Sequence, residues 1–454
     1  MIATKPRNTW AMAGAVTLAA LTLGACSTLQ SINPFASKDD TPEATTSRTN
    51  RVPILGLDQT VQASDALRGV DFFIPPPAAL DSWPLPGGTP EQSVEHVDAA
   101  ANFVVAWKVN FGRGSGRDSH VTAPPIVADG RVYVMDGRAT VSAFDVVTGR
   151  LVWHANVVPH TRRDGGDGYG GGVAYADGKL YVTTGFREVL QLDAATGTVG
   201  WRTKTDAPIH AAPTVSGGRV FAVSVDDSLL TFDAATGAAG WTYQALSEPA
   251  RLIGASSPAV AGDTVVAAFA SGEVVALRTA NGNDLWNQAL SRVGRSNALS
   301  EIRDIAGRPV IYRGAVYAVS HAGSFGAIDL RTGQPRWSLP VSGISTPWAA
   351  GDVIYVISKA GEVICVSREN GSVYWIRDLN EGRERKNWAL WAGPVLAGGK
   401  LIAVSNRGEA VAIDPKTGEV KSTLKLGEGS LIAPIAVAGT VFVVTDDASL
   451  IAIR

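Results

Sequence analysis

Two cysteines and six histidines hold most of the nucleophilic and metal-binding capacity of this 454-residue chain. Cys365 lies in Gly361-Glu362-Val363-Ile364-Cys365-Val366-Ser367, an alternating, strand-like run. A reactive thiolate wants a histidine or a positive charge beside it on a loop, and none is near in sequence. Cys365 therefore reads as a small buried apolar side chain. Cys26 stands elsewhere, after Leu23-Gly24-Ala25 at the end of an apolar run. The histidines are His96, His120, His154, His160, His210 and His321. None forms an i, i+4 pair around a Glu, so the helical zinc pattern is absent. His154 and His160 precede Arg162-Arg163 and read as a polar cluster at a pore mouth. Gly112 to Arg117 is glycine-rich and basic, but Pro124-Pro125 follows where a dinucleotide loop must open a helix. Arg162 to Gly168 has calcium-loop spacing without the acid at its twelfth position. Both read as loops. Glu381-Gly382-Arg383-Glu384-Arg385-Lys386 precedes Trp388 and Trp391 and reads as a solvated loop or, more sharply, an exposed contact loop. No catalytic set, cofactor site or metal site emerges.

The composition explains why. Lys+Arg 40 against Asp+Glu 42 gives a net charge of −2, so nothing draws the chain to nucleic acid. At 45% hydrophobic it is not a disordered chain. With 49 Gly, 24 Pro and 12 Trp, it reads as many short strands joined by tight turns.

The first residues form an address. Lys5 and Arg7 precede an apolar run from Trp10 to Leu23, too short to span a bilayer and suited to a signal-peptide core. Leu23-Gly24-Ala25-Cys26 resembles the bacterial lipobox. That resemblance implies cleavage before Cys26 and acylation of this residue. Ser27 follows rather than the Asp of inner-membrane retention, which implies the periplasmic face of the outer membrane. Residues 26–51 are polar and read as a flexible tether; 52–100, with Phe72 to Pro77 and Ser82 to Gly88, read as an extended segment on the surface of the body.

From residue 101 the chain is periodic. Phe144-Asp145 is followed by Gly149 and Trp153; Leu192-Asp193 by Gly197 and Trp201; Phe232-Asp233 by Gly237 and Trp241. Leu277-Arg278, Ile328-Asp329 and Val366-Ser367 keep the spacing to Gly282 and Trp286, Gly333 and Trp337, Gly371 and Trp375. Ile413-Asp414 keeps it to Gly418, but Ser422 replaces the Trp. An Asp side chain can bond the backbone two residues on, and Gly turns the chain back. A second hairpin with a leading Pro lies between copies, giving about four strands per period. Trp107, 153, 201, 241, 286, 337 and 375 are 38 to 51 residues apart, the length of a propeller blade. Trp107 has no turn before it, and the strand ending at Arg454 has no Trp strand after it. Pairing the two ends completes an eighth blade. The expectation is an all-β, eight-bladed propeller of four-stranded antiparallel blades, closed by its terminal strands.

The Asp-x-x-Thr-Gly-x-x-x-Trp unit resembles the PQQ-type propeller repeat over residues 101–454. Two periplasmic families share it. In the quinoprotein alcohol dehydrogenases, PQQ stacks on an adjacent Cys–Cys disulfide, and this chain has no adjacent cysteines. With its lipobox and tether, the whole chain resembles the BamB family of lipoproteins. That resemblance implies no enzyme activity and no cofactor. It implies a scaffold in the outer-membrane β-barrel assembly (BAM) machinery, docked on a POTRA domain of BamA among other subunits and presenting unfolded outer-membrane proteins. The family's contact motif Leu-x-Leu-Arg-Gly-x-Ser-x-Pro falls on Ala250 to Pro258, matching at Leu252, Gly254, Ser256 and Pro258. Ile253 takes the Arg position, with Arg251 two residues earlier. A second motif falls on Ser300 to Pro309 and matches at Asp304 and Pro309, with Ala306 in place of an Asp. The resemblance makes Leu252 an apolar anchor and Arg251 and Asp304 polar contacts. A second binding mode is addition of client strands to blade edges.

Overall fold

The computed structural model describes residues 61–117, 119–159, 168–247, 256–290 and 304–454. Among them are 32 strands in eight four-stranded antiparallel sheets, the blades of a propeller. Blades 1 to 7 run consecutively over 126–156, 171–204, 214–244, 259–289, 310–339, 348–378 and 391–425. Blade 8 takes three strands from 435–453 and its fourth from the other end of the body. That fourth strand, β1 (Val105–Asn110), pairs antiparallel with β32 (Ser449–Ile453), Lys108 opposite Ile451 and Asn110 opposite Ser449. The expected closure by the chain's two ends is observed.

The sequence pattern follows from each strand's place in its blade. Inner and middle strands are buried on both faces because a neighbouring blade stacks on each, so they are near-continuous Val, Ile and Ala. Outer strands meet solvent and alternate: β9 (Val199–Lys204) has only Trp201 and Thr203 partly covered. The core is accordingly divided into clusters between successive blades, such as Tyr133, Val141, Val182 and Leu190 between blades 1 and 2.

The repeated residues join the blades. Asp233 Oδ1 accepts the N–H groups of Ala235 (3.1 Å) and Thr236 (2.8 Å) and the Thr236 hydroxyl (2.8 Å). Asp145, Asp193 and Asp329 do the same. Gly237 then turns the chain at φ +73°, and a Cβ there would lie 2.5 Å from the Trp201 ring of the preceding blade. Trp201 Nε1 donates to Ala234 O of the same turn (3.1 Å). Trp153, 241, 286 and 337 each reach the equivalent carbonyl of the next blade, and Trp107 reaches the carbonyl one residue further on, Val147 O (3.0 Å). Trp375 does not; the equivalent carbonyl, Pro415 O, accepts from the Tyr355 hydroxyl (3.0 Å). Each Trp is thus a plate laid on the next blade's turn. This explains Ser422. Blade 8 has no such turn, since its third and fourth strands come from opposite ends of the chain, and Ser422 is exposed.

The turn carboxyls impose an acid sensitivity. Bonds from Thr148 to Asp145, Lys179 to Asp193, Thr236 to Asp233 and Arg336 to Asp329 hold all four below the usual carboxylate range. A depressed folded pKa contributes stability that is present above the unfolded value near pH 4 and is lost as pH falls through the folded value. Urea midpoints should therefore fall on acidification below ~pH 4. The fall should be shallower in Asp233→Asn with Asp329→Asn. Identical pH profiles for the variant and the parent would remove these turns as its source.

One face of the ring is covered. Residues 72–103 cross the ends of the inner strands and bond to every blade. Trp83 exchanges backbone bonds with Val127 of blade 1 (2.6 and 2.9 Å), and Pro84 O accepts from Tyr175 N of blade 2. Gln92 Nε2 reaches Thr214 Oγ1 in blade 3, and Pro90 O accepts from Val260 N in blade 4. Glu91 O accepts from Ile311 N in blade 5, and Glu95 O from Trp348 Nε1 in blade 6 (2.9 Å). Val97 pairs with Leu396 and Gly398 of blade 7, and Ala100 with Gly439 of blade 8. His96 locks the crossing: its Nδ1 donates to Pro75 O (2.7 Å), and its Nε2 accepts from Gly399 N (2.9 Å). Trp83 is 1% exposed and stacks on Trp348, 6.2 Å between centroids.

Candidate functional site

The strap covers the face that carries the turns between first and second strands. By the antiparallel meander, the opposite face carries the second-to-third-strand turns and the connections between blades. Both family-matched segments lie in such connections, 245–258 between blades 3 and 4 and 290–309 between blades 4 and 5. Their ends converge: the buried Ser256 hydroxyl donates to Gly307 O (3.3 Å). Arg251 and Leu252 lie outside the described residues.

Asp304 is described and is only 5% exposed. Its carbonyl accepts from His321 N (2.9 Å) in the second-to-third-strand turn of blade 5. Ile305 beside it is buried in the core between blades 4 and 5. A buried Asp304 braces the base of the segment. Sequence reasoning placed Asp304 in a loop between blades but could not see its burial, because the preceding strand pattern does not extend into the loop.

Other polar groups gather at this face. Gly307 is wedged against Ser345 O, where a Cβ would lie 2.7 Å away. The next residue, Arg308, donates its N–H to Thr346 Oγ1 (3.1 Å), and burial pulls its guanidinium down to about pKa 10. Lys359 Nζ donates to His321 Nε2 (2.7 Å), and burial lowers the Lys359 pKa. Across three successive connections His120 meets Tyr169 edge-on, centroids 4.8 Å apart, and His210 stacks on the same ring at 4.7 Å. This stack was not foreseen, because its members are about 40 to 50 residues apart in sequence and meet only through the blade repeat. The expected pore-mouth pair is corrected: His154 is on β5 (Leu151–Asn156), an outermost strand, and is exposed at the rim. His160 and Arg162 to Asp167 lie outside the described residues.

Gly112 to Arg117 is a packed loop, not a phosphate cradle. Arg113 N donates to Asp136 Oδ2 and Ser115 N to Asp446 O (2.6 Å), and a Cβ on Gly114 would lie 2.6 Å from the same carbonyl. The two tryptophans that follow the 381–386 charge run also separate. Trp391 is buried beneath Arg383, whereas Trp388 is 44% exposed.

A family model described as outer membrane protein assembly factor BamB matches residues 97–163, 137–377 and 379–454. The chain is 27% identical over 353 residues to outer membrane protein assembly factor BamB of Salmonella typhimurium, covering 76% of this chain and 88% of that protein. It is 26% identical over 357 residues to that of Escherichia coli, covering 77% and 88%. Among solved structures, BamB from Moraxella catarrhalis matches with a TM-score of 0.66 at 19% identity, over 77% of this chain and 99% of that one. Quinohemoprotein alcohol dehydrogenase from Comamonas testosteroni matches with 0.66 at 17% identity, over 83% and 80%. At these identities the structural likeness is one of fold. The residues here do not fit PQQ held on a vicinal disulfide. Cys365 is buried in β24 (Glu362–Ser367), has no adjacent cysteine, and its thiol pKa is raised by burial.

Proposed function

The chain belongs to the BamB family of outer membrane protein assembly factors, and on that premise we propose that it is a non-catalytic subunit of the outer-membrane β-barrel assembly machinery. An acylated Cys26 holds it at the periplasmic face of the outer membrane. A POTRA domain of a BamA-type subunit docks on the connections flanking blade 4, with Leu252 as apolar anchor, Arg251 as polar contact and Asp304 as the brace beneath. Other subunits and unfolded barrel clients meet the same assembly. The observation that carries this reading is the Ser256–Gly307 contact, which brings the two family-matched segments together on the face the strap leaves open.

Membranes extracted in mild detergent provide the test. Tagged protein should co-elute with the barrel-inserting subunit, and Arg251→Glu with Leu252→Ala should lower its recovery about tenfold, as loss of an interface anchor does. Undiminished recovery would remove both residues from the interface. Absence of that subunit from the parent eluate would overturn the docking reading. Cys26→Ser should release the protein into periplasmic extract, and continued membrane association in cells lacking the partner would refute anchoring there. Alcohol oxidation after addition of PQQ and Ca²⁺ would overturn the non-catalytic assignment.

A further inference from the structure

Each blade enters its inner strand through one equivalent position around the propeller axis, the residue before the inner-strand proline. Those prolines are Pro125, Pro213, Pro258, Pro309, Pro347, Pro394 and Pro434, and blade 2 has Val173 in their place. The preceding residues form a ring in which neighbours meet. A Cβ on Gly172 would lie 2.5 Å from the Ala212 Cβ of the next blade. Arg308 N donates to Thr346 Oγ1 of the next blade (3.1 Å). Pro124, Gly172, Ala212, Gly393 and Ala433 fill most of the ring, and none has a side-chain donor. The remaining positions are consecutive: Ser257 in blade 4, Arg308 in blade 5 and Thr346 in blade 6. Arg308 is the one long side chain in a ring of small ones, so the axial space they leave is open to it alone.

The Arg308 guanidinium is unpaired. Its Nε is sealed from solvent and has no acceptor. No ion pair or hydrogen bond reaches its side chain among the described residues. Burial alone lowers its pKa, with no carboxylate to offset it. A guanidinium carries five N–H donors, and covering it without an anion costs free energy that a bound anion returns. The flanking hydroxyls have donors to spare. Thr346 Oγ1 accepts from Arg308 N, which leaves its own proton to give. Ser257 is 3% exposed, and its hydroxyl is bonded to nothing among the described residues. The frame is fixed, because the Ser256 hydroxyl ties to Gly307 O and Gly307 is wedged against Ser345 O. The floor is fixed too: Gln92 of the strap donates to Pro258 O (2.9 Å), one residue beyond Ser257. With the strap closing that end of the axis, the site opens toward the face of the blade connections. A planar fork of N–H donors between two hydroxyls matches an anion with oxygens in a plane or a tetrahedron, a carboxylate or a phosphate.

We propose that Arg308, with Ser257 and Thr346, is an oxyanion site on the propeller axis that takes one carboxylate or phosphate group through the open face. The group is carried by a small free acid or by an acidic side chain of a docked protein, since Ser257 and Arg308 lie in the two family-matched segments. The second source rests on the docking reading; the site itself does not.

The test titrates purified full-length Cys26→Ser protein with sodium phosphate and, separately, sodium succinate, at an ionic strength held constant with sodium chloride. At least one of them should raise the melting temperature saturably, by roughly 3 °C at about a hundredfold excess over its dissociation constant. Arg308→Met should abolish the response, and Ser257→Ala should weaken binding roughly fivefold. Without added anion, Arg308→Met should melt no lower than the parent, because it removes an uncompensated charge. A parent that responds to neither anion, but whose binding to isolated POTRA domains falls about tenfold in Arg308→Met, assigns the oxyanion to the partner's side chain. No anion response, with partner binding undiminished or absent, overturns the proposal. So does a lowered melting temperature in Arg308→Met that Glu301→Gln reproduces, since Arg308 is then neutralised within the chain. The response to free anions needs no partner, so it fails separately from docking.

Discussion

Replacing Trp83 by Ala should lower the unfolding free energy by ~3–5 kcal/mol, the range for truncating a fully buried aromatic. Trp83 is 1% exposed, yet it belongs to no blade. It pins the strap between Val127 in blade 1 and Trp348 in blade 6. Its ring also closes around the Gly88 turn, where a Cβ would lie 3.3 Å from it. Truncation leaves a cavity between strap and ring, and the neighbouring bonds of Ser82, Pro84 and Gln92 lose their fixed geometry. Phe73 is the control. It lies on the same strap but is 55% exposed, so Phe73→Ala should shift stability by about 0.5 kcal/mol or less. Urea denaturation of both variants checks the pair. Equal, small shifts would mean that the strap lies on the ring without holding it.

The plates should be nearly as costly to remove. Trp201→Ala and Trp241→Ala should each lose ~3–5 kcal/mol. Each change strips the apolar cover from the next blade's turn, Gly237 or Gly282, and leaves Ala234 O or Thr279 O without its indole donor. Trp201 also sits 6.2 Å from Tyr181 and Trp241 6.2 Å from Phe221, so an aromatic contact within the Trp's own blade goes with it. Melting temperatures that do not move in either variant would show that the plates do not couple the blades.

How much of this was legible in sequence depends on the range of the forces involved. The Asp, Gly and Trp of each copy act within one turn and on one adjacent blade, so their spacing specifies the blade directly. Even the departure at Ser422 has a local cause, the missing turn of blade 8. The course of 72–103 is different. Its bonds join Trp83 to Val127, Glu91 to Ile311 and His96 to Gly399, and no periodicity links those partners. Residues of one type also part company on tertiary grounds. Trp388 and Trp391 are three apart, one displayed and one buried. Asp304 matches a contact motif and is nonetheless covered, because Ile305 draws that part of the loop into the core. His154 looked like a pore residue because it precedes a polar loop, but it lies on an outer strand, whereas His120 and His210 meet Tyr169 in the connections that lead to inner strands.

Binding between two purified components addresses the proposed role with the fewest intermediaries. Soluble Cys26→Ser protein would be titrated calorimetrically into the isolated periplasmic POTRA domains of its own barrel-inserting subunit. Saturable one-to-one binding is expected, weakened about tenfold by Arg251→Glu with Leu252→Ala and unaffected by Trp388→Ala. No heat and no complex at any accessible concentration would contradict docking as this protein's function.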